Sequence, residues 1–224
     1  MKNNIQLKAY QLMLAFCLIS INVFAQDKVQ ERIAKATTVV KNFGTMEESI
    51  PSQLMEKAEG IIVIPGLING GFVVGGKRGR GIAMVKNDDG TWSDPVFVTL
   101  TGGSFGLQIG VQSVDLVMVF LNKSTLLNIG TGEFTLGGDV SVAAGPLGRS
   151  STATTDTKLE AEVYSYSRSK GIFAGISLSG AQLDVDKIAN AGFYKKEVSA
   201  ADIFDDVTSK NTNVLELKEA IGDL

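Results

Sequence analysis

The sequence predicts an α+β fold: a Gly-rich, mainly antiparallel β-sheet or closed sandwich packed with N-terminal and C-terminal helices. Three observations lead there. Apolar residues recur at helical spacing towards both ends of the chain, 19 of the 25 glycines fall between Gly60 and Gly148, and the same stretch holds most of the β-branched runs. Glycines spread through β-branched runs mark turns, bulges and close backbone approaches. With 224 residues, 44% hydrophobic and 20% charged, the chain can bury one core and is not disordered.

The first 25 residues read as an export signal. Lys2 and Lys8 give a positive start, Leu12 to Ile21 an apolar run, and Val23-Phe24-Ala25 a small-x-small cleavage site. The run is about half the ~20 residues of a spanning helix. Phe16, where a small residue is needed, disfavours lipidation of Cys17. The expectation is cleavage after Ala25, leaving 26–224 as a single domain.

The elements follow in order. From Asp27, the apolar stripe Val29, Ile33, Ala36, Val40 and Phe43 makes one helical face that stops at Gly44. Ile50-Pro51 starts a shorter helix, with Leu54, Met55 and Ala58 inward and an end at Gly60. Strands are predicted at 61–64, 71–86, 96–107, 114–121, 134–143, 160–168 and 171–178, with Asp88-Asp89-Gly90 as a hairpin turn. The run Val114 to Leu121 is apolar on both parities, apart from Asp115, and predicts a central strand covered on two faces. Ile172, Ala174, Ile176 and Leu178 alternate with small residues, and the Ser/Thr-rich stretch 150–158 reads as a loop. Helix resumes from Asp186, with a cap at Ser199 before Ile203, Phe204 and Val207, and a last amphipathic turn or two around Leu215 and Leu217.

Composition excludes several chemistries. The chain has no histidine and its one cysteine, Cys17, lies in the predicted signal, so a Ser-His-Asp triad, a thiolate nucleophile and a Cys/His zinc site are all excluded from the mature domain. Losing Lys2 and Lys8 leaves 19 basic against 24 acidic residues, a balance that argues against general nucleic-acid binding. Gly71 to Lys77 fits the G-x-x-x-x-G-K half of a phosphate-binding loop, but Arg78 stands where a hydroxyl must reach magnesium, and a strand follows instead of a helix. Ser104 meets the G-x-S-x-G spacing with Gly102 and Gly106, without a histidine to activate it. Asp115, Glu133 and Asp139 lie in or beside apolar strands at no diagnostic spacing, which favours structural roles over hydrolysis or metal binding. Neither cofactor nor metal is expected.

Two basic features remain. Lys77, Arg78 and Arg80 put three cations between glycines, a lipid-headgroup contact or a solvated hairpin tip. Lys28, Arg32 and Lys35 form a strip along one edge of the first helix's apolar stripe, able to face a membrane or to belong to an ordinary docked helix.

Ordered blocks run through Ala58 to Pro65, Gly70 to Gly81, Trp92-Ser93-Asp94-Pro95, Gly102 to Gly110, Phe134 to Gly137, Ala143 to Arg149 and Tyr164 to Gly175, within roughly 30–195. Together they resemble one family, the SYLF lipid-binding domain. The resemblance implies a non-enzymatic domain that binds membrane lipid; related domains bind phosphoinositides partly through an amphipathic N-terminal helix, and fungal ones bundle actin. Joined to the export signal, it implies a periplasmic or peripherally envelope-associated protein whose partners are anionic phospholipids and not nucleic acid. An outer-membrane β-barrel, opposed by the leading helices and the helical C-terminus, or an envelope structural or interaction protein is the alternative.

Overall fold

The computed structural model describes residues 27–46, 50–130, 134–145, 160–173, 176–206 and 208–224. The predicted signal with Cys17, Glu133, the 150–158 stretch, Ala174 and Val207 lie outside them. Helix α1 (27–44) forms as its periodicity requires: Val29, Ile33, Ala36, Val40 and Phe43 are all buried. Each of these side chains larger than alanine contributes about 1.5–3 kcal/mol when fully buried. Helix α2 (Ser52–Glu56) begins after Pro51, which is its N-cap residue, and turns Leu54 and Met55 inward.

Four predicted strands are two. Strand β1 (Gly60–Val85) and strand β2 (Val96–Phe120) run as one antiparallel ribbon joined through the turn at Asp88-Asp89-Gly90. That turn is held by Thr91 N–H and Oγ1 donating to Asp89 Oδ1 at 2.9 and 2.6 Å, with Gly90 at φ 82°. A straight strand of this length would run roughly 85 Å, about twice the diameter of a domain this size. The ribbon doubles back instead. Register shifts fall between Ile64 and Leu67 and between Gly71 and Val73. The start and end of β1 thereby lie together: Lys86 N–H donates to Glu59 O at 2.9 Å, and a Cβ on Gly81 would sit 2.2 Å from Val63 O. Only glycine fits that crossing, and Gly79, whose Cβ would meet Ile64 Cγ2 at 2.5 Å, repeats the requirement.

On its other edge β2 pairs with two strands, β5 (Val163–Ser169) through 115–120 and β7 (Ala181–Val185) through 98–101. Strand β3 (Phe134–Leu136) extends the sheet beyond β7, and β4 (Val142–Ala144) lies parallel to β5. A bridge between Leu136 and Val140, in the connection from β3 to β4, brings the two ends of the sheet together, so it nearly closes. Strand β6 (Ile172–Phe173) pairs with β5 across the turn at Lys170-Gly171. Prediction had 134–143 as one strand, 171–178 as another, and no strand at β7. The turn Gly137-Gly138-Asp139 splits the first, with Gly137 at φ 76°. Helix α3 (Lys123–Leu127), capped by Asn122, was not anticipated.

The sheet has two apolar faces. Ile62, Ile64, Ala83, Val85, Leu116 and Met118 point to the enclosed side, closed by α3 and by α5 (Ala200–Asp206). Ile61, Val63, Ile82, Met84, Val117 and Val119 point outward, under α1, α2, α4 (Lys187–Tyr194) and α6 (Thr212–Gly222). Val114 to Phe120 is buried except at Asp115, the two-faced central strand its composition predicts. A membrane barrel presents an apolar outer band to lipid; here helices cover that side. The expected cap forms at Ser199, whose Oγ accepts from Asp202 N–H at 3.1 Å, and the expected helix start at Asp186 is itself a cap, its side chain accepting from Ala189 N–H at 3.1 Å. In α6, Leu217 is buried but Leu215 is 52% exposed, so only one of the two faces inward.

Candidate functional site

The two basic features considered separately in the sequence form one site. Helix α1 lies across the outer face of the sheet: Arg32, near its start, stacks over Phe97 of β2 at 5.4 Å, while Phe43, near its end, meets Arg168 of β5 and Phe173 of β6. Lys28, Arg32 and Lys35 follow one edge of the helix. Opposite them, Arg78 and Arg80 alternate along β1 on the same face as Ile82 and Met84. Together with Glu31, Pro65, Gly66 and Gly79, these five cations line a groove of about 470 Å³.

Its charges are unequally committed. Glu31 is bound by Lys35 at 2.7 Å, and Lys35, seconded by Lys28, holds the Glu31 carboxyl below the ordinary carboxylate range. Arg32 is largely buried and ion-paired to Asp186 at 3.1 Å. Burial is the main force pulling the Arg32 guanidinium below its ordinary value; Asp186 opposes it, and Arg80 pushes the same way as burial. It stays charged in any accessible solution. Its Nη1 is buried without a hydrogen-bond partner. Arg78, Arg80 and Lys28 are exposed, and among the described residues none of their side chains has a hydrogen bond or ion pair. Across the sheet from Arg80, Thr99 separates it from Asp184. The groove therefore holds three uncommitted positive charges, around acids that are already neutralised or one strand removed.

Lys77 does not belong to this set. Strand alternation sends it to the enclosed face, where it is 6% exposed and its Nζ donates to Ser177 O. Desolvation lowers its pKa from the ordinary lysine value. The expected cluster of three is thus a pair, Arg78 and Arg80, and a buried lysine behind them. The glycines do not expose backbone donors as a loop would, because Lys77, Arg78, Gly79 and Arg80 are in register with Gly102, Thr101, Leu100 and Thr99 of β2. Nor is this a hairpin tip, which lies at 88–90.

The other candidate residues have structural positions. Gly71 to Lys77 is strand, which a phosphate-binding loop cannot be, and Ser104 likewise lies within β2 and not on a strand-to-helix elbow. Asp115 accepts from Gly66 N–H at 3.0 Å and pairs with Arg168 at 3.3 Å, fixing the bend of β1 beside the groove. Asp139 accepts from Thr135 N–H at 2.7 Å. Among the described residues, no three His, Cys, Asp or Glu side chains group as metal ligands would. Asp186 and Phe97, which position Arg32, were not identified from the sequence as parts of the site. Asp186 was legible as a helix start, but its partner is 154 residues away.

The family of proteins described as Ysc84, Las17-binding protein actin regulator, matches residues 101–224, more than half of the chain. The chain belongs to the Ysc84 (SYLF) family. Among curated relatives of this family, SH3 domain-containing YSC84-like protein 1 of Bos taurus is 33% identical over 192 residues, 85% of this chain and 56% of the relative. Its Homo sapiens counterpart is 31% identical over 204 residues, 91% of this chain and 59% of the relative. LAS seventeen-binding protein 3 of Saccharomyces cerevisiae is 34% identical over 157 residues, 69% of this chain and 34% of the relative. The chain thus spans little more than half the length of the animal relatives it matches. The family description and its yeast member's name both denote Las17-binding proteins.

Proposed function

We propose that this Ysc84-family chain is an exported, non-enzymatic lipid-binding domain that associates with anionic phospholipid membranes, at the periplasmic or envelope surface, through the groove between α1 and β1. The observation that carries this reading is the convergence of Lys28, Arg78 and Arg80, all unpaired, on one groove where Glu31 and Asp186 are already neutralised. Phosphodiester headgroups are the complement of such a site: they bring charge and acceptor oxygens that guanidinium donors meet in a fork. Near a charged bilayer each such cation contributes about 1 kcal/mol. The catalytic alternative has no support in the site, where the carboxylates are held in ion pairs and turns.

A protein partner is the second reading, suggested by the Las17-binding description attached to the family and to its yeast member. Co-sedimentation of the purified protein with vesicles of 30% phosphatidylglycerol in phosphatidylcholine separates the two. The lipid reading expects binding that weakens as salt is raised, because screening shortens to a few ångströms near 1 M. Equal partitioning to pure phosphatidylcholine, or none to either vesicle, would count against it.

A further inference from the structure

The doubled-back end of the ribbon, beyond the groove, exposes large apolar side chains. Ile68 of β1 is 46% exposed and Val111 of β2 is 79% exposed. They are close in the ribbon, since Ile68 pairs with Ser113 and Val111 with Gly70. Ile172 of β6, 71% exposed, stands at the same end: Ser169, its partner across the β5–β6 turn, donates from Oγ to Ser113 O at 3.1 Å. Exposed β-branched side chains grouped at one rim of a sheet need a reason, whereas scattered ones do not.

Their setting supplies one. Pro65 and Gly66, three and two residues before Ile68, line the basic groove, as do Arg78 and Arg80 on the returning arm of the same strand. The acid at this end, Asp115, is bound by Arg168 and by Gly66 N–H. An apolar rim beside unpaired cations, with its nearby carboxylate neutralised, is the arrangement that suits a bilayer interface, where acyl chains lie just beneath anionic headgroups. A protein surface offers no such fixed layering. We propose that this ribbon end is a membrane-insertion tip: Ile68 and Val111, with Ile172 beside them, enter the acyl boundary while the groove engages headgroups. The proposal rests on the lipid-binding reading and adds a depth and an orientation to it. The β1–β2 turn at Asp88 points away from the bilayer, at the opposite end of the ribbon from the insertion tip.

The test uses the Cys17→Ser protein with a single cysteine at Val111 or, for reference, at Asp88, each labelled with an environment-sensitive nitrobenzoxadiazole. Vesicles of 30% phosphatidylglycerol in phosphatidylcholine are added, with and without nitroxide-labelled acyl chains. A blue shift and nitroxide quenching at Val111, absent at Asp88, are expected. Ile68→Asn/Ile172→Asn should weaken vesicle binding by about tenfold while leaving its salt dependence in place. Retained co-sedimentation with no shift at Val111 overturns the tip and leaves the headgroup site standing; loss of all co-sedimentation overturns both. A blue shift without vesicles that grows with protein concentration would assign the rim to self-association and also overturn the proposal.

Discussion

Lys77 is a buried cation with one carbonyl partner, Ser177 O, among the described residues, and it sets a stability test of its own. Removing an ammonium from water without a counter-ion is costly. Lys77→Met, close in length and apolar, should leave the protein folded and more stable by roughly 1 kcal/mol at pH 7, measured by urea unfolding. The sign with pH follows from the direction of its shift. Because burial lowers the folded pKa below the ordinary 10.5, the unfolded chain binds more protons in the window between the two, and stability rises with pH there. The advantage of Lys77→Met over wild type should therefore shrink as pH approaches 10.5. Tyr166 and Tyr194 oppose this in both proteins: burial raises their pKa values, so each costs stability above pH 10, and the difference between the two proteins isolates the lysine. A constant difference from pH 7 to 10.5 would contradict the account. At this scale the sequence was only partly legible. Period-two alternation separates Lys77 from Arg78 and Arg80 once the segment is read as strand. Which of the two faces was enclosed depended on the pairing of Arg80 with Thr99 and the packing of α1, which local spacing does not contain.

Strand β1 works as an element because its two arms cross at glycines. Gly81→Ala would place a methyl 2.2 Å from Val63 O and 3.0 Å from Ile64 Cα, against backbone that cannot turn aside. A loss of roughly 1–3 kcal/mol is expected. Gly103→Ala, with nothing within 4 Å of its Cβ, should stay within about 0.5 kcal/mol and serves as the control. Equal effects at the two positions would mean that the arms do not approach as described. Helix α6 is tied to the sheet through Lys218, which holds the fully buried Asp94 at 2.7 Å while the other Asp94 oxygen has no partner. Lys218→Met leaves that carboxylate uncompensated and should cost about 3–5 kcal/mol by thermal or urea unfolding. A loss below 1 kcal/mol would show that solvent reaches Asp94. Most helices were legible at this scale, since α1 carries its own periodicity and α5 its own cap, whereas α3 was missed. Strand limits were not legible, because glycines that look like breaks at 66, 70 and 110 lie within long strands, Gly70 and Gly110 paired in register and Gly66 at a register shift. The five residues of β7 were missed because their register with β2 is long-range.

In the whole molecule, the nearly closed sheet buries one face within itself and beneath α3 and α5 and the other under four helices, and α1, the bend of β1 and the β5–β6 turn come together at one end. That end carries both the basic groove and the apolar rim. The fold class was readable from apolar periodicity and the placement of the glycines, and the family from ordered sequence blocks; the site was readable only as two fragments, because Arg32 and Arg80 become neighbours only when the ribbon doubles back under α1. In the proposed binding mode, Arg78 and Arg80 bind anionic headgroups while Lys77 does not. A binding isotherm of Arg78→Gln/Arg80→Gln against 30% phosphatidylglycerol vesicles, with Lys77→Met beside it, tests this most directly. Two surface charges at about 1 kcal/mol each predict roughly 30-fold weaker binding for the double variant. Lys77→Met should stay within about twofold of wild type. Wild-type affinity in the double variant, with its fold verified by circular dichroism, would contradict the account.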